Sequence, residues 1–122
     1  MYKRQVRGTD KELVFVNTHF ISGAWSGHPE RQERWRTHAR VLRETVARLR
    51  RNHPDKPVFV VGDFNRRQAV DLPAPVRYVP VRGVSGVPID HMYASSTVSH
   101  GEVLRQPTWG SDHHAYTLFA TF

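Results

Sequence analysis

Four short polar motifs carry the side chains that could do chemistry in this sequence. They are Asn17-Thr18-His19, Gly62-Asp63-Phe64-Asn65, Ile89-Asp90-His91 and Ser111-Asp112-His113-His114. Together they supply carboxylates, an amide and imidazoles. Phosphoester hydrolysis needs such groups as oxygen ligands for a hard cation, as a base for water and as donors to the phosphoryl oxygens. If the motifs meet in space, they indicate hydrolysis of a phosphoester.

The motifs lie at the ends of short apolar segments that predict strands. Residues 13–18 and 58–61 are apolar on consecutive positions, which is typical of central strands covered on both faces. Four more strands are predicted at 76–81, 89–94, 97–104 and 115–122, with turn-forming residues between them. Because polar groups at strand ends can gather at one edge of a sheet, this arrangement could assemble a site.

One long amphipathic helix is predicted between the first two strands. His28-Pro29-Glu30 resembles a helix start, and Asn52-His53-Pro54 ends the pattern. Apolar residues recur at spacings of four and three: Trp35, Ala39, Leu42, Val46 and Leu49. The order β-α-β followed by strands predicts an α/β layered fold with a mixed sheet. One helix covers one face of a sheet, so we expect a partner chain or a further stretch of protein to cover the other face.

Length, composition and charge exclude several classes of protein. The 122 residues suit one domain, and no apolar run approaches the roughly 20 residues of a transmembrane helix. The absence of cysteine excludes disulfides, thiolate zinc sites and cysteine nucleophiles. Neither the Gly-x-Ser-x-Gly pattern of serine hydrolases nor the His-Glu-x-x-His pattern of zincins occurs. A net charge of +7 favours anionic partners such as nucleic acid or phosphorylated metabolites.

The segments THF, GDFN, IDHMYAS and WGSDHHAY, in this order and with these separations, resemble a known family. It is the endonuclease/exonuclease/phosphatase superfamily of deoxyribonuclease-like and exonuclease III-like enzymes, and the resemblance is to its C-terminal half. The implied fold is half of a four-layer α/β/β/α sandwich: a mixed, mainly antiparallel sheet with one long helix on its outer face. The implied activity is Mg²⁺- or Mn²⁺-dependent hydrolysis of a phosphoester substrate such as nucleic acid, by a phosphodiesterase, phosphatase or nuclease.

The resemblance also implies roles for single residues. His19 matches a histidine that contacts the scissile phosphate, and Asp63 a carboxylate that orients or deprotonates the attacking water. Asn65 matches an amide that binds a phosphoryl oxygen or the shell of the metal. Asp90 matches the carboxylate that sets the tautomer of the catalytic histidine, His113. The implied catalytic set is His19, Asp63, Asn65, Asp90 and His113, and the implied metal set is Asp63, Asn65 and Asp112.

The sequence departs from the family pattern at its N-terminal side. The half that carries an asparagine and the principal metal-binding glutamate is absent, so we expect a fragment. Because the first five residues match a translated sequencing adapter, residues 1–12 are expected to be a non-native or disordered lead-in. Residues 13–122 would then form the C-terminal half of the domain. We expect such a chain to self-associate through its uncovered sheet face and to be a weak or inactive catalyst.

Simpler interpretations remain open for each motif. Asp63 and Asp90 could be turn residues, and His19 and His113 ordinary histidines at strand ends. Surface or cap positions are expected for His28, His38, His53 and His100. The arginines of the helix point in every direction except the apolar stripe, which predicts a solvated outer surface. The alternative function is a non-catalytic basic module that binds nucleic acid through phosphate contacts.

Overall fold

A five-stranded sheet organises the chain in the computed structural model, which describes residues 2–5 and 7–122, with side chains from residue 7 onward. Its strands are β1 (Tyr2–Gln5), β2 (Glu12–His19), β3 (Val58–Asp63), β4 (Val76–Tyr78) and β5 (Asp90–Ser95), in the order β1-β2-β3-β5-β4. Strands β2 and β3 are parallel, and the other neighbours are antiparallel. The sheet is therefore mixed and mainly antiparallel, as the sequence predicts.

The first residues of the chain take part in this sheet. Strand β1 pairs with β2 in a register that sets Tyr2 opposite Phe15 and Gln5 opposite Glu12. The proposed division between a lead-in at 1–12 and a domain at 13–122 stays a prediction.

The second half of the chain has shorter strands than the sequence predicts. Two small strand pairs stand in place of the long strands predicted at 97–104 and 115–122. They are β6 (Ser99–His100) with β9 (Ala120–Thr121), and β7 (Leu104–Arg105) with β8 (Tyr116–Thr117). Gly101 separates β6 from β7, and glycine weakens a strand interior. Strand β4 ends before Pro80, which cannot donate to a ladder, and Val81 forms a single bridge with Val103.

The predicted helix is present. A 3₁₀ turn at Pro29–Arg31 leads into α1 (Gln32–Asn52), and the backbone N–H of His53 closes its last turn on the carbonyl of Leu49. All five residues of the predicted apolar stripe are buried. Seven arginines lie along α1, and no helix among the described residues is apolar enough to span a membrane.

The helix covers one face of the sheet. Successive strand residues point to opposite faces, so Val14 and Val16 of β2 and Val58 and Val60 of β3 meet the stripe of α1. Phe20, Phe64 and Tyr93 fill the space towards the end of β3. Because these side chains are almost completely buried, this helix-side core holds the ends of β2 and β3 in fixed positions.

The other face of the sheet is covered only in part. Phe59 and Ala94 pack there with Val79, Val98 and Val103, and the C-terminal segment lies over them. A cavity of about 590 Å³ remains between the sheet and the C-terminal segment. The prediction of an uncovered face is therefore corrected: the chain's own last strands cover some of it and leave a cavity that is mainly apolar and reaches Asp63 and Asp90 at the sheet edge.

Candidate active site

The strand ends bring the predicted polar residues to one edge of the sheet. In the parallel pair of β2 and β3, His19 lies opposite Asp63. In the antiparallel pair of β3 and β5, the first residue of β5, Asp90, lies opposite the last residue of β3, Asp63. Three motifs that are far apart in sequence thus meet at Asp63 because of the sheet register.

His113 completes the group from the loop that follows β7. Its Nδ1–H donates to Asp90 Oδ2 at 2.8 Å, and its Nε2 lies 3.7 Å from Asp63 Oδ2. Possible ligand atoms of Asp63, Asp90 and His113 all lie within 4.8 Å of one another. The pairing of Asp90 with His113 is the geometry that the motifs imply for an oriented imidazole.

A tight turn presents His113 to the strand ends. Trp109 and Gly110 adopt left-handed backbone angles, with φ of 46° and 89°. The N–H of Ser111 donates to the carbonyl of Thr108, and the Ser111 hydroxyl accepts the N–H of His113 at 3.1 Å. These bonds fix the backbone of His113, and the hydrogen bond to Asp90 fixes its ring.

Carboxylates surround His113 and stabilise its charged form. The hydrogen bond to Asp90 and its charge raise the pKa of His113 against the opposing effect of burial, and the charges of Asp63 and Asp112 raise it further. Asp112 is near enough to act on this pKa, but its exposed side chain is outside the close group and contacts Ser111 Oγ at 3.5 Å. The structure therefore places Asp90, rather than the predicted metal ligand Asp112, beside Asp63.

His19 approaches Asp63 from the other side. Its Nε2 lies 3.5 Å from Asp63 Oδ2, and its side chain is 74% exposed. Oδ2 of Asp63 is thus flanked by the Nε2 atoms of His19 and His113. Both distances exceed an ordinary hydrogen bond, so the Nε2 atoms of both rings are available to a bound group, and the exposed ring of His19 can turn towards it.

Asn65 organises the turn that carries Asp63. Its backbone adopts a left-handed φ of 48°, which asparagine tolerates, and its N–H donates to Asp63 Oδ1 at 2.8 Å. The side-chain Nδ2 donates to the carbonyl of Phe20 at 2.9 Å. One N–H of the predicted phosphate-binding amide is therefore used to tie this turn to the end of β2, and the second N–H remains for a ligand.

The close group has the chemistry of a divalent cation site. Asp63 and Asp90 offer carboxylate oxygens, and Mg²⁺ in proteins usually takes one or two of these together with water and substrate phosphate. Mn²⁺ accepts the same ligands as well as imidazole. The donor set therefore agrees with the predicted metal, although Asn65 and Asp112 of the predicted metal set lie outside it.

A match to a protein-family model shows which family the chain belongs to. Residues 3–113 match the Endonuclease/Exonuclease/phosphatase family. The chain belongs to this family. The match includes the first three motifs from which the resemblance is drawn and the fourth as far as His113.

Solved structures agree with the fold. The chain is similar to truncated TDP2 from Caenorhabditis elegans (TM-score 0.62, 16% identity, 85% of this chain and 48% of that one). It is also similar to a mannosyl-6-phosphatase from Bacteroides thetaiotaomicron (TM-score 0.64, 19% identity, 93% and 53%). A third similar structure is an endonuclease/exonuclease/phosphatase family protein from the same organism (TM-score 0.55, 18% identity, 92% and 47%). The chain thus spans about half the length of these structures. No curated protein sequence matches it.

Gly62 is a site residue for a steric reason that the motif alone does not reveal. A Cβ at this position would lie 1.9 Å from the carbonyl oxygen of Thr18, because β2 and β3 approach closely there. Backbone atoms cannot move aside as a side chain can. The glycine before Asp63 therefore sets how closely the ends of β2 and β3 meet.

The sequence gives no role to His91 or Tyr93, two buried residues of β5 that hold a segment of the site in place. His91 is 3% exposed, and its Nε2–H donates to the carbonyl of Arg66 at 2.8 Å. The Tyr93 hydroxyl accepts the N–H of Val70 at 2.8 Å and donates to His91 Nδ1 at 3.1 Å. Burial lowers the pKa of His91 and raises that of Tyr93 to about 12, so both rings are neutral. They hold the segment after Asn65 against β5.

His38 also differs from its expected place. The sequence predicts a surface position, but the ring is partly buried and stacks on Phe20 at 3.9 Å between centroids. His38 Nε2 is bonded to the Thr18 hydroxyl at 2.9 Å. It lies one residue before the buried Ala39 on α1, at the edge of the apolar stripe, and that position is the signal that could have identified it.

Proposed function

We propose that this chain carries the catalytic groups of a metal-dependent phosphoester hydrolase, a phosphodiesterase or phosphatase of the nuclease-like type. The observation that carries the proposal is the Asp63, Asp90 and His113 group, with His113 bonded to Asp90 at 2.8 Å and 3.7 Å from Asp63. Membership of the Endonuclease/Exonuclease/phosphatase family supports it. The positive charge of the chain supports an anionic substrate.

Each residue has a defined task in this proposal. Asp63 orients the attacking water, and His113, whose tautomer Asp90 sets, accepts its proton. His19 and the remaining amide N–H of Asn65 donate to phosphoryl oxygens and stabilise the charge that develops there. His113 in its charged form cannot accept a proton, so its action as a base begins above its raised pKa.

Asp63 and Asp90 would hold Mg²⁺ or Mn²⁺, with Asn65 and Asp112 contributing through the shell of the ion. The ion would supply charge neutralisation and polarise the phosphate. The chain offers few carboxylates to a cation that needs well-placed oxygens, so we propose weak metal affinity for these 122 residues.

The complete domain would be the four-layer α/β/β/α sandwich that the family resemblance implies. Two findings support this. The chain spans 47–53% of the length of the three similar structures. The apolar cavity on the second sheet face has the character of a surface that packs against further protein. In this proposal residues 13–122 are the C-terminal half of the domain.

Hydrolysis of bis(p-nitrophenyl) phosphate tests the proposed function. At high protein concentration we expect slow turnover that requires Mg²⁺ or Mn²⁺ and stops with a chelator. Asp63→Ala and His113→Ala should fall to the background rate, since losing a base or a charge-stabilising contact typically costs 10²-fold or more. His114→Ala is the matched control, because the ring of this neighbour of His113 bonds the carbonyl of Gln106 and lies outside the close group around Asp63, so the variant should retain the parent rate.

Two results would contradict this function. If the parent chain, Asp63→Ala and His113→Ala hydrolysed the compound at equal rates, the roles proposed for Asp63 and His113 would be wrong. Salt-sensitive binding of DNA or RNA with no metal-dependent turnover would instead support the non-catalytic basic module, because phosphate contacts alone give that behaviour.

A further inference from the structure

A second cavity adjoins the site on the helix side of His19. It has a volume of about 500 Å³ and is lined by His19, Phe20, Ile21, Ser22, Arg34 and His38. We call it the anion pocket. It shares only His19 with the group around Asp63, and its walls come from the segment after β2 and from the first turns of α1.

Arg34 gives the anion pocket a cation that no other group neutralises. Arg31 bonds the carbonyl of Ser22 and approaches Glu30, and Arg40 pairs with Glu44. For Arg34, by contrast, the described part of the chain offers no hydrogen-bond acceptor and no ion-pair partner. No carboxylate is found among the described residues that line the pocket. The pocket lining thus combines a guanidinium, two imidazoles and a serine hydroxyl, and the carboxylate of Asp63 approaches it at His19, at 3.5 Å.

The inner wall of the anion pocket is preformed. The ring of His38 stacks on Phe20 at 3.9 Å, and its Nε2 is bonded to the Thr18 hydroxyl at 2.9 Å. Phe20 itself is 1% exposed and packs on Trp35 and Phe64. Contacts from both α1 and β2 therefore hold this wall, and a ligand would not need to order it.

We propose that the anion pocket binds a second phosphate group of the substrate, next to the phosphoester that is hydrolysed, with Arg34 as its principal contact. This inference rests on the proposed function and adds a substrate class to it: phosphoesters that carry another phosphate. Arginine binds phosphate through two parallel N–H donors, and serine and imidazole N–H groups add single donors. His19 lies between the two positions, because it lines the pocket and approaches Asp63 at 3.5 Å.

Titration with inorganic phosphate in metal-free protein tests the pocket without any need for activity. The readout is the NMR shift of the His38 ring, with His113 as the reporter of the other site. We expect millimolar phosphate to shift His38, and Arg34→Gln to weaken this binding about tenfold or more. Arg48→Gln is the matched control: it removes the same charge from an exposed position about 21 Å further along α1 and should change affinity less than twofold.

Two natural sources of the second phosphate can be separated in the same assay. A thymidine dinucleotide with a 5′-phosphate represents a polynucleotide, and fructose 1,6-bisphosphate represents a phosphorylated metabolite. The compound that shifts the NMR signal of the His38 ring at a lower concentration than inorganic phosphate does identifies the source. The proposal is overturned if phosphate shifts only His113, if Arg34→Gln binds like the parent, or if Arg34→Gln and Arg48→Gln weaken binding equally.

Hydrolysis of bis(p-nitrophenyl) phosphate separates this inference from the proposed function. The compound has one phosphate, so its hydrolysis reports on the group around Asp63: the parent chain should hydrolyse it with Mg²⁺ or Mn²⁺, and Asp63→Ala should not. A chain that binds phosphate at His38 but has no metal-dependent turnover would refute the hydrolase and keep the pocket. Turnover without phosphate binding at His38 would refute the pocket and keep the hydrolase.

Discussion

At the scale of single residues, the pairing of Asp90 with His113 determines how the site responds to pH. The 2.8 Å bond uses Nδ1 of the imidazole and leaves Nε2 directed towards Asp63. A carboxylate at Nδ1 both fixes the tautomer and stabilises the imidazolium. The same contact therefore makes the ring a better oriented base and delays its deprotonation.

Replacement of Asp90 by asparagine should lower the pKa of His113. In the parent chain the hydrogen bond and charge of Asp90 are the largest causes of the raised pKa, so the ring should titrate above its ordinary value of 6.5. NMR titration of His113 in metal-free protein measures this directly, and Asp90→Asn should move the midpoint to lower pH. Asp10→Asn, which removes an exposed and distant charge, should leave the midpoint in place. An unchanged midpoint in Asp90→Asn would contradict the assigned pairing.

Most residues of the reacting group could be predicted because each belongs to a short motif with a defined order. His19, Asp63, Asp90 and His113 are predicted in this way, and the structure places them at one sheet edge. His91 could not be assigned, because its surroundings depend on tertiary packing, whereas the position of His38 beside the buried Ala39 offered a signal. His91 stacks on Phe64 and is bonded to the carbonyl of Arg66, and neither partner is visible as a pattern in the sequence.

At the scale of elements, the site depends on how three strand ends and one loop are held together. Trp35 of α1 donates to the carbonyl of Phe64 at 2.7 Å, so the helix fixes the turn after β3 directly. Long elements with clear periodicity, such as α1 and β3, are predictable from the sequence alone. The two-residue strands β6 to β9 are not, because their pairing is set by tertiary contacts rather than by local preference.

His91 should make stability depend on pH below about 6.5. Burial lowers its folded pKa, so between that value and 6.5 the unfolded chain binds more protons and stability falls as pH falls. His38 acts in the same direction, whereas His113, with a raised pKa, stabilises the fold at low pH. Urea unfolding measures the free energy of unfolding at pH 7.5 and at pH 5.5. Between these values it should fall further for the parent chain than for His91→Gln, because the other titrating groups contribute equally to both chains.

The same variant should also reveal the bonds of His91. At pH 7.5, His91→Gln should be less stable than the parent by about 1–3 kcal/mol, since buried groups of Arg66 and Tyr93 lose well-aligned partners. His100→Gln at an exposed position should stay close to the parent in both stability and pH dependence. Parallel pH profiles for the parent and His91→Gln would show that His91 does not carry the effect.

Gly62→Ala should separate β2 from β3 at the site. Since the new Cβ would lie 1.9 Å from the Thr18 carbonyl oxygen, the strands must shift or the fold must lose about 2 kcal/mol or more. Metal-dependent turnover should fall with stability, because Asp63 moves with the strand. Gly83→Ala is a suitable control for a left-handed glycine, since nothing lies within 4 Å of its added Cβ. A Gly62→Ala chain with parent stability would disprove the close approach.

At the scale of the whole molecule, charge and apolar surface act in opposite directions. The net charge of +7 repels copies of the chain from one another. The second sheet face attracts them, because Leu13, Phe15 and Phe59 line an apolar cavity with parts of the C-terminal segment, and Phe15 is 36% exposed. Which tendency prevails depends on salt, since ions screen the repulsion but not the burial of apolar surface.

We therefore predict that the chain of 122 residues self-associates through the second sheet face and does so more strongly as salt is raised. Light scattering at tens of micromolar protein should give a mass above that of the monomer in 0.5 M salt. Phe15→Glu places a charge on this face and should restore the monomer. Val41→Glu, which alters an exposed apolar residue of α1, should associate like the parent. A parent chain that stays monomeric at every salt concentration would mean that its own C-terminal strands cover the face well enough without a second copy.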